Sequence, residues 1–217
     1  MRRHSGLVVL SALLACQGAA KPVDAPAPVP MPARPFADYL AEAQAGDTTL
    51  DFQAFRLSYT TTALYEPYGM HDKGWRDSLF AAANREDFTG ALAWADTLLR
   101  NNPVDAEAHA VAGFASASLH DSLAAEHHYW LATGLVLSIG SSGAATEASP
   151  LLVISVAEEY TYAQFIKLRR AGTQGLGECN GRPCDNVQFT SRAGSDTTLF
   201  FDVSIPVAHL QRSFQKQ

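Results

Sequence analysis

Apolar residues recur at helical spacing through most of this chain and switch to a period of two near its end. The first periodic stretch, Phe36–Ala45, predicts a short helix stopped by Gly46-Asp47. Asp51–Thr62 predicts a second, with Phe52, Phe55, Leu57 and Tyr59 apolar and Asp51 as an acid at its start. Tyr65-Glu66-Pro67-Tyr68-Gly69 then breaks regular structure. Four helical stretches follow: Trp75–Asn84, one opened by Asp87-Phe88, Val104–Leu119, and Asp121–Ile139. Asn101-Asn102-Pro103 stops the second of these, because proline disfavours helix at the residue before it. After the loop Gly140–Gly143 the pattern changes. Leu151–Val156 is a short branched apolar run that predicts a buried strand, and Glu158–Arg170 predicts a helix ended by Ala171-Gly172. Val187 and Phe189, then Leu199, Phe201, Val203 and Ile205, alternate as a half-buried strand does, with Ala193–Asp196 as a hairpin between them. The expected fold class is α+β: helical hairpins followed by a small C-terminal antiparallel sheet at about 151–156 and 185–206.

The central helices carry an internal repeat. Laying Asp72–Asp105 over Ala106–Ile139 at an offset of 34, the tetratricopeptide period, puts Trp75 on His109, Ala91 on Ala125, Ala95 on Tyr129 and Leu98 on Ala132. Small residues belong where two helices approach most closely, so Gly113 and Ala125 are expected to face each other. Two such units bury too little by themselves, so the flanking helices and the sheet must close the ends into one globular domain over about 36–210, with 211–217 as a tail.

The N-terminal segment predicts export. Met1-Arg-Arg-His is basic, and Leu7–Ala15 is apolar but too short to span a bilayer, which is the pattern of a signal peptide over residues 1–15. It ends in Leu13-Leu14-Ala15-Cys16, which resembles the bacterial lipobox, in which the cysteine becomes the lipid-bearing first residue. The alternative is cleavage after Gly18-Ala19-Ala20. Gln17 after the cysteine resembles lipoproteins sent to the outer membrane. Lys21–Pro35 holds six prolines and predicts an extended tether between Cys16 and the folded part. Loss of Arg2 and Arg3 with the leader takes the net charge from −6 to about −8. An acidic chain with no basic stripe lacks the electrostatic footprint of a nucleic-acid binder, and Lys167, Arg169 and Arg170 read as the cationic end of a helix.

Candidate chemistry is sparse. Cys179 and Cys184 flank Asn180-Gly181-Arg182-Pro183 and are expected to form a disulfide in an oxidising compartment. His109 stands where the preceding repeat has a packing Trp, and His128 lies one helix later, so the two rings are expected near one end of the pair. Glu158 and Glu159 follow the predicted strand. Together, His109, His128, Glu158 and Glu159 are candidates for an acid–base or metal-binding cluster. The competing reading makes His109 a packing residue and the two glutamates helix-start acids. No Gly-x-Ser-x-Gly, His-Glu-x-x-His or phosphate loop is present, and no cofactor or resident metal is expected.

Several pieces, taken in order, resemble the bacterial domain-of-unknown-function family 4919. They are Asp51-Phe52, Arg56, Tyr59, Tyr65-Glu-Pro-Tyr68, Ala108-His109, His128 with Gly134-Leu135, Ser138-Ile139, Ser142-Gly143, Ile154-Ser155, Glu158-Glu159-Tyr160 and Leu199–Ser204. The chain departs from the family pattern at Ala144-Ala145, where Asp-Gly is expected, and at Cys184, where Tyr is expected before Asp185. The resemblance implies no established activity.

The functional expectation is an exported lipoprotein on the outer membrane, facing the periplasm and held by its lipid anchor. It would act as an interaction or scaffold module on other envelope proteins. Alternatives are a soluble periplasmic or secreted form, a hydrolase or metal-dependent enzyme using the His/Glu cluster, and a small-ligand binder using aromatics near Tyr65–Trp75.

Overall fold

The computed structural model describes residues 29, 31–70 and 72–215. The expected signal peptide and Cys16 lie outside the described residues, as do residues 21–28 and 30 of the expected tether. Eight helices and a four-stranded sheet are present among the described residues, an α+β arrangement. The helices are α1 (Phe36–Ala45), α2 (Phe52–Tyr59), α3 (Lys73–Asn84), α4 (Phe88–Asn101), α5 (Ala106–Ser118), α6 (Ser122–Gly140), α7 (Val156–Phe165) and α8 (Ser204–Phe214). The strands are β1 (Leu151–Leu152), β2 (Leu168–Cys179), β3 (Arg182–Ser191) and β4 (Asp196–Asp202).

Aspartates set the helix starts. Asp51, Asp87, Asp105 and Asp121 each cap a helix by accepting a hydrogen bond from the backbone N–H three residues on, relieving a donor that has no partner within the helix. The 34-residue offset extends to the backbone. Glu86 and His120 occupy the same place before α4 and α6 and are both left-handed, at φ 61° and 65°. Each is followed by a capping aspartate, Asp87 or Asp121. Consecutive helices α3 to α6 pack on one another, and small side chains (Ala82, Ala91, Ala95, Ala108, Ala112, Ala115) fill the seam with Leu79 and Leu98. Gly113 meets the Tyr129 ring rather than Ala125: a Cβ there would come within 2.8 Å of Tyr129 Cδ1. An aromatic ring thus occupies the place where a small facing residue was expected.

Helix α6 joins the layers. Leu131, Leu135 and Val136 pack into a core with Tyr39, Phe55, Leu57, Tyr59 and Tyr65, while Ile139 enters the sheet core with Leu151, Val153, Val187, Phe189 and Phe201. The Phe52 ring lies over Gly134, where a Cβ would come within 2.2 Å of Phe52 Cζ, so α2 seats on α6 only because this position has no side chain.

The sheet differs from expectation in four ways. Its order is β1-β4-β3-β2, and β1 runs parallel to β4, so it is mixed rather than antiparallel. The run Leu151–Val156 supplies only two strand residues, because Ser155 caps α7 by accepting from Glu158 N–H. The helix read as Glu158–Arg170 ends at Phe165, and left-handed Lys167 (φ 66°) turns the chain into β2, which contains the glycines of 172–177 as well as Arg169 and Arg170. The basic trio is therefore not a helix terminus. Finally, β4 stops at Asp202, whose carboxylate accepts from Ser204 N–H at 2.9 Å as α8 begins. Val203, Val207, Leu210 and Phe214 then recur at helical spacing through residues first read as strand and tail, so α8 crosses the expected boundary at 210.

Candidate functional site

His109 on α5 and His128 on α6 lie side by side. Their rings lie 5.3 Å apart, and the two Nδ1 atoms are 3.0 Å apart. His109 Nε2 is 3.1 Å from the Pro103 carbonyl oxygen, which can only accept, so this nitrogen carries the proton. Burial pushes the His109 ring down to about 4, so it is neutral at physiological pH. A neutral ring protonated on Nε2 has a bare Nδ1, and His128 must donate to it from its own Nδ1–H. His128, also lowered by burial, is left with a free Nε2 lone pair when neutral. The resulting chain runs from Pro103 C=O through His109 to His128, and it fixes the tautomer and orientation of a half-buried imidazole. His127 sits beside it, 5.9 Å from His128 and 5.8 Å from Trp130. Asp96 and Arg100 of α4, Gln44 of α1 and all three histidines line one cavity of about 480 Å3.

The two glutamates lie elsewhere. Glu158 accepts from Arg56 Nη1 at 2.6 Å and from Ile154 N–H at 2.8 Å. Arg56 is wholly buried and also donates to Ser138 Oγ and the Leu152 carbonyl, tying α2 to α6, β1 and α7. Burial pushes the Glu158 carboxyl up against the pull of Arg56. Glu159 accepts from the Gln174 amide at 3.2 Å, and the same amide donates to Asp185 at 2.6 Å. The expected four-residue His/Glu cluster is thus not formed. Successive residues 158 and 159 point into two different buried networks, and neither includes a histidine. Among the described residues, no group of three or more His, Cys, Asp or Glu is placed to hold a metal ion.

Cys179 and Cys184 are joined in the structure across the β2–β3 turn. The aromatic cluster near Tyr65–Trp75 divides. Tyr65 is buried, with its hydroxyl donating to the Ile154 carbonyl at 2.5 Å, whereas Tyr68 is partly exposed.

Sequence reasoning missed Gln174, which bridges Glu159 and Asp185 and accepts from the Tyr160 hydroxyl at 2.5 Å. It stands between Thr173 and Gly175 on a glycine-rich edge strand with little apolar alternation, so nothing local marks it. Asp185, by contrast, carries a signal, since it is the acid of the resemblance pattern beside Cys184. Most residues that carry the resemblance hold the interior together. Arg56, Ser138 and Glu158 form one network, Ser142 Oγ accepts from Leu152 N–H, and Asp202 pairs with Arg182.

Over residues 36–212 the chain matches the family described as Domain of unknown function (DUF4919). No curated protein and no solved structure matches it.

Proposed function

The chain belongs to the DUF4919 family, and we propose that it is an exported lipoprotein, anchored in the outer membrane through Cys16 and facing the periplasm. Its tetratricopeptide-like helical core would bind another envelope protein. The leader, the lipobox-like Leu13–Cys16 and the proline tether support the export and anchoring. The observation that carries the binding role is the outer side of α6. Tyr129, Thr133 and Leu137, spaced by four, line a groove of about 780 Å3 with Leu50, Phe52 and Trp130. Leu137 is 56% exposed, Leu123 on the same helix 81%, and Phe114 on the adjoining α5 51%. Large apolar side chains gathered on one helix pair cost solubility unless another surface covers them.

The test places a photo-crosslinking residue at Leu137 and, as control, at Arg85 in cells carrying the full chain. A discrete protein adduct is expected from position 137, absent from position 85 and lost when Tyr129→Glu is added. No adduct at 137 would overturn the reading. In the same cells Cys16→Ala should move the chain from the membrane to the soluble fraction; retention in the membrane would show that Cys16 is not the anchor.

The histidine relay favours a second reading, a hydrolase in which His128 acts as general base and His109 positions it. Such a site should hydrolyse 4-nitrophenyl acetate faster than free imidazole does. Roughly 10²-fold or more should be lost in His128→Gln, within the range for general-base residues. A wild-type rate equal to that of free imidazole, or an unchanged His128→Gln, ends this reading.

A further inference from the structure

A second cavity, remote from the histidines in composition, lies beneath α8. It measures about 610 Å3, and its walls are largely apolar: Val203, Val207, Leu210 and Phe214 on one side, Leu176 of β2 on the other, and Tyr68 at the edge. Leu176 and Phe214 are 69% and 68% exposed. Gln174, Asp185 and Gln211 also line it, and Asp185 is the one carboxylate among its lining residues.

Gln174 and Asp185 belong to a cluster with a charge deficit. The Gln174 amide group spends both its N–H donors on carboxylates, one on Asp185 Oδ2 and one on Glu159 Oε2, and its oxygen accepts from Tyr160. Glu159 is wholly buried, and its Oε1 has no hydrogen-bond partner. Among the described residues neither Glu159 nor Asp185 forms an ion pair. Arg170, which is exposed, lies 5.4 Å over the ring of Tyr160. Two carboxyl groups held by one neutral amide are an arrangement that lacks a positive partner. Burial, with the nearby charge of Asp185, pushes the Glu159 carboxyl up to about 9, so Glu159 holds its proton at neutral pH.

We propose that this cavity binds a small primary amine with an apolar body, its ammonium seated on Asp185 and its body held between α8 and Leu176. An ammonium supplies one positive charge and three donors, the complement of a carboxylate side chain on the cavity wall that has no ion-pair partner among the described residues. The walls suit an aliphatic or aromatic body, and the volume lies within the range of small-molecule sites. A bare metal ion suits the cavity less well, since Asp185 is the one carboxylate in a mostly apolar lining.

The test is isothermal titration calorimetry at pH 7 on the folded chain with three matched probes: phenethylamine, 2-phenylethanol and phenylacetate. Phenethylamine is expected to bind at least ~10-fold tighter than 2-phenylethanol, and phenylacetate not at all. Asp185→Asn keeps an acceptor for Gln174 and should reduce the amine to the affinity of the alcohol. Val207→Trp fills the cavity without touching the carboxyl groups and should abolish binding of both. Thermal melts of each variant establish that it is folded. Equal affinity for amine and alcohol, no binding of the amine, or an Asp185→Asn variant that binds the amine as before would each overturn the proposal.

Discussion

Arg56→Met is expected to destabilise the fold by about 3–5 kcal/mol, a large part of the stability of a domain this size. Methionine keeps much of the packing volume but removes the guanidinium. That leaves the Glu158 carboxyl without its 2.6 Å partner and the Leu152 carbonyl and Ser138 hydroxyl without their donor, all in the interior. The cost comes from the orphaned groups more than from the loss of attraction, because the pair already bore a desolvation penalty on forming. Arg56→Met combined with Glu158→Met should therefore recover part of the loss, with Ile154 N–H, the Leu152 carbonyl and the Ser138 hydroxyl still short of a partner. Urea denaturation of the two single variants and the double variant measures this directly. A single-variant cost below about 1 kcal/mol, or a double variant that costs the sum of the singles, would show that the pair does not hold the layers together.

Glu159→Gln is expected to do the reverse. The carboxyl has an ordinary value of 4.5 and is held up at about 9 in the folded protein, first by burial and then by the charge of Asp185, with Glu158 adding to the rise and Arg170 opposing it. The folded chain therefore keeps a proton that the unfolded chain releases. The stability this proton supplies is complete below pH 4.5 and is lost as pH rises toward 9. At pH 7.5 the accumulated loss is at most about 4 kcal/mol, at about 1.4 kcal/mol per pH unit. Glutamine cannot ionise, and its amide can still accept from Gln174 while donating toward Asp185. The variant should match wild type near pH 4.5 and exceed it increasingly up to pH 8. Urea melts at pH 5, 6.5 and 8 would sink the idea if the two stabilities ran parallel.

These two glutamates show how far the chain could be read before its fold was known. Adjacent acids after an apolar run look alike along the chain. A helix start turns successive side chains about 100° apart. One therefore faces Arg56, 102 residues away, and the other faces Gln174. Neither partner is predictable from local spacing. The histidines were different, because they lie on consecutive helices joined by a short turn, so that α5 and α6 pack on each other and bring residues 109 and 128 together. What chain order could not supply was the proton arrangement, which depends on the Pro103 carbonyl behind His109.

Local sequence was enough to place helices α1 to α6. Apolar periodicity acts over three or four residues in each, and aspartates cap α2, α4, α5 and α6. It also determined the β3–β4 hairpin, where alternation and the Gly194 turn (φ 83°) are local. Tertiary structure alone decided the rest of the sheet. β1 is two residues long and exists only because β4, some fifty residues later, offers it a parallel partner. β2 is an exposed, glycine-rich edge that only its ladder with β3 makes a strand. The same pairings bring Gln174 beside Asp185 and lay α8 over them. The cavity and its uncompensated carboxyl pair thus arise from contacts between segments that carry no mutual signal along the chain.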